Sequence, residues 1–142
     1  MFESESVWEH ATVDAVAFGE GAAAELPAHL PDGGPVLLVT DPGVREAGIV
    51  DHLVATLDDR PTVIFDGVDP DPALPVFVAA VERVRDCDPA AVVGVGGGSA
   101  IDVAKAASAL AAGDGDVLDY VAPPTGAGDP VPDPGRPTVA VP

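Results

Sequence analysis

The residues best suited to chemistry lie in one glycine-rich run, GVGGGSAIDVAK, at residues 94–105. The run follows the apolar segment Ala91–Val95 and precedes an alanine-rich helical segment, which places its glycines in a turn between a buried strand and a helix. At such a turn backbone N–H groups point outward, the helix dipole favours an anion, and glycine lets a phosphate approach closely. The turn Gly96–Gly98 is therefore predicted to bind a cofactor pyrophosphate.

The glycine spacing matches neither of two familiar phosphate motifs. Reading GxGxxG from Gly94 places Ser99 where the last glycine belongs, and reading it from Gly96 places Ile101 there. A P-loop needs Gly-Lys-Ser/Thr to hold a β-phosphate and magnesium, but Gly98 is followed by Ser99. The run is thus neither the usual Rossmann fingerprint nor a P-loop.

Ser99 and Asp102 also suit a structural role. Ser99 as N-cap with Asp102 three positions later would form a variant of the capping box, a role compatible with phosphate binding at the same turn. The cap is favoured for Asp102 over direct cofactor contact, because a carboxylate repels a pyrophosphate. Lys105 lies three residues further along the same helical face, where we expect an exposed ion pair and no catalytic role.

Three strand-helix units position this turn. Apolar runs predict strands at Val36–Thr40, Thr62–Phe65 and Ala91–Val95. Asp41 with Pro42 predicts the start of a helix that ends near Asp59, Asp71 with Pro72 predicts the next start, and Ser99–Ala112 forms the third helix. Such a succession predicts a doubly wound, mainly parallel α/β sheet with helices on both faces, a Rossmann-like fold.

The segments that flank these units are less regular. Thr12–Phe18 predicts a short strand, and Ala22–Leu30 predicts a short helix that Pro27 weakens. Residues 113–137, rich in proline, glycine and aspartate, predict a long surface loop. Thr138–Val141 then predicts a further strand.

Composition predicts one folded, very acidic domain. The 142 residues are 47% hydrophobic, with 24 Asp and Glu against 6 Lys and Arg and a formal net charge of -18. Such a surface repels nucleic acid, and its self-repulsion is screened in concentrated salt. A halophilic protein is therefore expected, with an ordinary acidic enzyme as the alternative.

Cysteine and histidine predict neither a disulfide nor a metal site. Cys87 is alone, which excludes a CxxC pair and fits a reducing compartment. His10, His29 and His52 are widely spaced, so structural histidines are favoured over metal ligands. The amino terminus lacks the basic and apolar regions of a signal peptide, and no stretch is long enough to span a membrane. A cytoplasmic protein is expected.

The run GGGSAIDVAK resembles the GGGSxxDxAK signature of the iron-type, or group III, alcohol dehydrogenases. Their superfamily also includes glycerol dehydrogenases and dehydroquinate synthases. The segments VLLVTDPGVREAGIVDHL, VIFDGVDPDP and RPTVAVP are similar to family segments in the same order. The resemblance implies that residues 1–142 form the N-terminal dinucleotide-binding domain, ending before the second phosphate loop and the helical metal-binding domain.

The resemblance also implies NAD as the cofactor. The glycines and Ser99 would bind its pyrophosphate, and Asp41 would reach the adenosine ribose, accepting from the 2′-hydroxyl of NAD and repelling the 2′-phosphate of NADP. The alternative main role of Asp41, as a helix N-cap, is about equally favoured. The predicted cofactor-binding residues are Asp41, Gly96, Gly97, Gly98, Ser99 and Asp102. Asp71 departs from the asparagine of the family's PNP motif and is expected to cap a helix instead.

The implied activity is hydride transfer between a small alcohol or aldehyde and NAD. The family's iron ligands, an aspartate and three histidines, belong to the helical domain, so iron is expected only in a full-length member. This chain alone should be catalytically incomplete, and it would act as a homodimer or with the missing C-terminal half. The alternatives are a non-catalytic dinucleotide-binding remnant and the corresponding domain of a glycerol (phosphate) dehydrogenase or dehydroquinate synthase-like enzyme.

Overall fold

A four-stranded parallel sheet forms the centre of the structure, a computed structural model that describes residues 12–142. Its strands are β1 (Val36–Thr40), β2 (Thr62–Phe65), β3 (Ala91–Val95) and β4 (Thr138–Val141), arranged in the order β2-β1-β3-β4. Every neighbouring pair is parallel. The central strands β1 and β3 are buried along their whole length, as their continuous apolar runs require. The strands predicted at these four positions are confirmed.

Helices cover both faces of this sheet. They are α1 (Pro42–Glu46), α2 (Ile49–Thr56), α3 (Leu74–Cys87) and α4 (Gly98–Leu110), together with 3₁₀ helices at Ala22–His29 and Val117–Tyr120. Helices α3 and α4 pack on one face against Leu37, Val39 and Val92. The first 3₁₀ helix and α2 pack on the other face against Leu38 and Val93. The predicted doubly wound α/β fold is confirmed. Within residues 12–142, no helix is long and apolar enough to cross a membrane.

The single helix predicted from Asp41 to about Asp59 is wrong, because the chain forms α1 and α2 instead. Gly48 separates them with a left-handed backbone, φ 77°, which glycine adopts at little cost. The apolar periodicity continues across this break, with Val50, Leu53 and Leu57 buried. Periodicity alone therefore did not reveal the interruption.

The predicted helix start at Asp71 and Pro72 is also wrong. Helix α3 begins at Leu74, after Ala73 as an N-cap without a side-chain hydrogen bond, and Pro75 lies in its first turn. Pro72 and Pro75 both suit the first turn of a helix, and it is Pro75 that lies in the first turn of α3. Asp71 instead has a left-handed backbone, φ 53°, a conformation that aspartate tolerates better than most residues.

Two elements near the amino terminus differ from their predictions. Thr12–Phe18 forms no strand, and every residue in it is exposed. A strand needs a neighbouring ladder, and this segment pairs with none of the four described strands. The helix expected at Ala22–Leu30 is a 3₁₀ helix, Ala22–His29, that contains Pro27, which lacks a backbone donor.

The long loop predicted at residues 113–137 is present and is anchored at several points. Asp116 and Asp119 form a capping box around a short 3₁₀ helix, and Val117 inside it is buried. The guanidinium of Arg85 donates to the carbonyl oxygens of Gly113 and Gly115, at 2.6 and 2.8 Å. These contacts tie the loop to α3.

Helix α4 lies unusually close to β3. A Cβ atom at Gly94 would lie 2.9 Å from Ile101 Cα and 3.0 Å from Ala104 Cβ. Neither atom is the end of a flexible side chain, so neither can move aside easily. The glycine therefore sets the distance between this strand and this helix.

Gly94→Ala is expected to destabilise the chain by about 1–3 kcal/mol, because one methyl group overpacks this contact. The measurement is urea unfolding in molar salt. Gly67→Ala is the matched control, since its Cβ would make an ordinary contact of 3.4 Å with the ring of Phe65. A Gly94→Ala chain as stable as the Gly67→Ala chain would show that α4 adjusts freely.

Candidate functional site

An open cleft of about 540 Å³ lies at the carboxyl edge of the sheet. The last residues of β1 and β3, Thr40 and Val95, are aligned, so the segments that follow them meet at this edge. The lining residues are Asp41, Pro42, Gly43, Asp69, Pro70, Gly97, Gly98, Ser99 and Ala100. Ligands of open α/β sheets bind at this edge.

The first turn of α4 presents unpaired backbone donors to the cleft. The first intrahelical bond runs from Ile101 N to Gly97 O, 3.2 Å. Within the described part of the chain, the N–H groups of Gly98, Ser99 and Ala100 therefore have no partner. Three donors at the positive end of a helix can hold an anionic oxygen.

The three glycines of the turn serve different purposes. A Cβ at Gly97 or Gly98 would meet no atom of residues 12–142 within 4 Å, and both residues line the cleft. Gly96 has φ 119°, and a Cβ there would lie 3.0 Å from Asp41 Oδ2 and 3.1 Å from Val44 Cγ2. The fold thus requires Gly96, whereas Gly97 and Gly98 keep the cleft open.

Asp41 connects α1 with the glycine turn. The N–H of Val44 donates to its Oδ1 at 2.9 Å, which confirms Asp41 as the N-cap of α1. Its other oxygen faces Gly96, and the half-buried side chain lines the cleft. The structure therefore brings together Asp41 and the glycines that the sequence singled out, while ribose binding remains a prediction.

The capping box predicted for Ser99 and Asp102 is wrong. Gly97, in an extended conformation, is the N-cap of α4, and Ser99 is the second residue of the helix. Asp102 instead lies 3.4 Å from Lys105 Nζ on an exposed surface, which confirms the predicted ion pair. Asp102 is not among the residues that line the cleft, and its contact with a cofactor is still a prediction.

Sequence reasoning missed Asp69 and Pro70, which line the cleft together with the glycine turn. It singled out Asp71, an exposed residue outside the cleft lining, and gave no role to Asp69 or Pro70. The available signal was the position of Asp69 shortly after β2, at the edge of the sheet where Asp41 also lies.

Among the described residues, the lining of the cleft contains two carboxylates, Asp41 and Asp69, and no basic side chain. An anion in this cleft would be held by backbone donors and the dipole of α4, not by lysine or arginine. The same carboxylates would oppose any additional negative charge near them.

The described residues do not fit iron. In residues 12–142, no group of three or more His, Cys, Asp or Glu side chains is arranged to hold a metal ion. His10 lies outside the described residues. Burial raises the pKa of the half-buried Cys87 thiol, so this cysteine is protonated at neutral pH and is a poor nucleophile or ligand.

The parallel sheet with a glycine turn between a central strand and a helix N-terminus defines a Rossmann-like α/β unit. The chain belongs to the iron-containing alcohol dehydrogenase family, whose sequence pattern is matched by residues 14–142.

Several relatives share this unit. Alcohol dehydrogenase 4 of Schizosaccharomyces pombe is 36% identical over 109 residues, 72% of this chain and 25% of that protein. The crystal structure of sulfoacetaldehyde reductase from Bifidobacterium kashiwanohense in complex with NAD+ has a TM-score of 0.78 and 27% identity, covering 96% of this chain and 36% of that one. NADH-dependent butanol dehydrogenase A from Thermotoga maritima has a TM-score of 0.73 and 29% identity, with 87% and 31% covered. The chain thus spans about a quarter to a third of the length of these relatives.

Proposed function

We propose that residues 1–142 form the NAD-binding domain of an alcohol dehydrogenase-like oxidoreductase, which transfers hydride between a small alcohol or aldehyde and NAD. The observation that carries the proposal is one cleft lined both by the residues of α4 whose three N–H groups are unpaired and by Asp41. Family membership supports the reaction class. Two structural relatives, one in complex with NAD+ and one NADH-dependent, support the choice of cofactor.

In this proposal different residues of the cleft bind different parts of NAD. The N–H groups of Gly98, Ser99 and Ala100 donate to the pyrophosphate oxygens, and Gly97 leaves room for the phosphates to approach. Asp41 accepts a hydrogen bond from the adenosine ribose. NAD, when bound, supplies the hydride acceptor for alcohol oxidation.

Iron and the substrate would be held by other residues of the functional enzyme, because the described residues offer no iron site. Hydride transfer requires the nicotinamide and the alcohol to be held together in a reactive geometry. We accordingly propose that this chain alone binds cofactor without turning over an alcohol, and that activity requires a metal-binding half, in a monomer or a homodimer.

Gly98→Val should weaken NAD binding while leaving the fold intact. A Cβ at residue 98 meets no atom of the described residues within 4 Å, so valine would extend into the cleft where the phosphate would lie. Calorimetric titration of the chain with NAD in molar potassium chloride is expected to show saturable binding, weakened by about tenfold or more in the variant.

Ala55→Val provides the control, because Ala55 is exposed on α2 and does not line the cleft. This variant should bind NAD like the native chain. Equal binding by the Gly98→Val chain would contradict the phosphate role of the turn. Failure of the folded native chain to bind NAD would contradict the proposed cofactor function.

Asp41→Asn separates the two roles of Asp41. Asparagine can still accept from the Val44 N–H and cap α1, but it carries no charge to repel a 2′-phosphate. We expect the native chain to bind NADP about tenfold more weakly than NAD, and the variant to lose most of that difference, as titrations with both cofactors at one salt concentration would show.

Asp114→Asn is the matched control, with the same change of charge at an exposed carboxylate outside the cleft lining. It should leave the ratio of NAD to NADP affinity unchanged. The role of Asp41 in cofactor choice is refuted if Asp41→Asn preserves the native ratio.

We further propose that the protein works in a salt-rich cytoplasm. The net charge of -18 opposes compaction at low ionic strength. The midpoint of thermal unfolding should rise as potassium chloride increases from about 0.2 M to about 3 M, because the Debye length shortens. Potassium sulfate at equal ionic strength distinguishes two causes of this rise. Preferential exclusion from the protein surface would raise the midpoint more in sulfate, whereas charge screening would raise it equally in both salts. A midpoint that stays constant or falls with potassium chloride would argue against adaptation to salt.

A further inference from the structure

Thr40 is a fully buried polar residue at the junction of the cleft walls. Its Oγ1 donates to the carbonyl oxygen of Val95 at 2.9 Å, joining the end of β1 to the end of β3. Its own carbonyl oxygen accepts from the N–H of Val68 at 3.3 Å. Thr40 therefore contacts the residues that directly precede two of the segments that line the cleft.

Three residues, Thr40, Val95 and Val68, each directly precede a segment that lines the cleft. Asp41 follows Thr40, the glycine turn follows Val95, and Asp69 follows Val68. Thr40 thus precedes one lining segment, and its two hydrogen bonds reach the residues that precede the other two.

The hydroxyl bond lies where the main-chain ladder between β1 and β3 ends. The strands are paired in register up to Thr40 and Val95. Beyond that pair Asp41 leads into α1, and Gly96 turns away with φ 119°. Among the described residues, no main-chain hydrogen bond joins the segments 41–43 and 96–98. Within residues 12–142, the Thr40 side chain therefore makes the last hydrogen bond between β1 and β3 before the cleft.

The polar side chain is unusual in its setting. The other residues of β1 are Val, Leu, Leu and Val, and all five positions are buried. Valine has nearly the shape of threonine, so packing alone would accept valine at position 40. The hydroxyl is what distinguishes threonine, and its acceptor is the carbonyl group just before the glycine turn.

We propose that Thr40 is a positioning residue for the cofactor cleft, whose hydroxyl holds Asp41 at its close approach to Gly96. The assignment rests on the proposed NAD site. The distance of 3.0 Å between Asp41 Oδ2 and a Cβ built at Gly96 shows how little freedom the two segments have. Loss of the hydroxyl should let them separate, which moves the carboxylate relative to the donors of α4.

The first experiment needs no cofactor. Amide hydrogen exchange at Val44, whose N–H donates to Asp41, and at Val68 should accelerate about tenfold or more in Thr40→Val, relative to the core amide of Val92. Thr40→Ser keeps the hydroxyl and should exchange like the native chain. Thr56→Val removes a hydroxyl that donates to Leu53 O within α2, so it should leave Val44 and Val68 unchanged.

The second experiment measures affinities for NAD and NADP in the same chains. Thr40→Val should narrow the preference for NAD because Asp41 is displaced, Thr40→Ser should restore the preference, and Thr56→Val should keep it. If Thr40 had a purely structural role, Thr40→Val would weaken the binding of NAD and of NADP equally. If Thr40→Val does not fold, Thr40→Ala is compared with Thr40→Ser, since these two residues differ only in the hydroxyl.

The assignment would be overturned if the amide of Val44 exchanged at the native rate in Thr40→Val. It would also be overturned if exchange accelerated as much in Thr40→Ser as in Thr40→Val. Both outcomes are independent of NAD. Failure of the native chain to bind NAD would instead overturn the proposed function, and the exchange data would still decide whether Thr40 holds the two segments together.

Discussion

The contact between β3 and α4 at Gly94 is the constraint on which the rest of the site depends. Because residue 94 has no side chain, the backbone of Ile101 and the methyl group of Ala104 lie directly over the strand. Small buried residues continue this contact along α4, with Ala100 and Ala107 buried as well. The short distance places the first turn of the helix at the carboxyl edge of the sheet, where its unpaired N–H groups meet the segment that follows β1.

Anion binding through backbone N–H groups would suit a chain with so few basic residues. Five of its six cations make structural contacts. Arg45, Lys105 and Arg136 pair with aspartates, and Arg60 and Arg85 donate to loop carbonyl oxygens. A helix dipole and main-chain N–H groups do not depend on side-chain charge. The protein can therefore carry a net charge of -18 and still present donors to an anion at one edge of its sheet.

The sequence was sufficient for features set by local chemistry and by continuous apolar runs. The four strands and the N-cap at Asp41 are of this kind. The break at Gly48 was hidden because the helical periodicity continues through it, whereas the backbone turn depends on how α2 packs on the sheet. Asp69 was overlooked because its importance comes from the neighbouring position of β2 in the sheet, which no local pattern encodes.

Asp41 shows that a structural and a functional role need not compete for one side chain. A carboxylate has two oxygens and about four acceptor sites, and the cap on α1 uses one of them at Oδ1. Oδ2 remains beside Gly96, on the side of the cleft. The cap fixes the direction of the carboxylate before any ligand arrives, so a ribose hydroxyl would meet an acceptor that needs little further ordering. The N-cap and the ribose contact, which the sequence left as alternatives, are therefore compatible in this geometry.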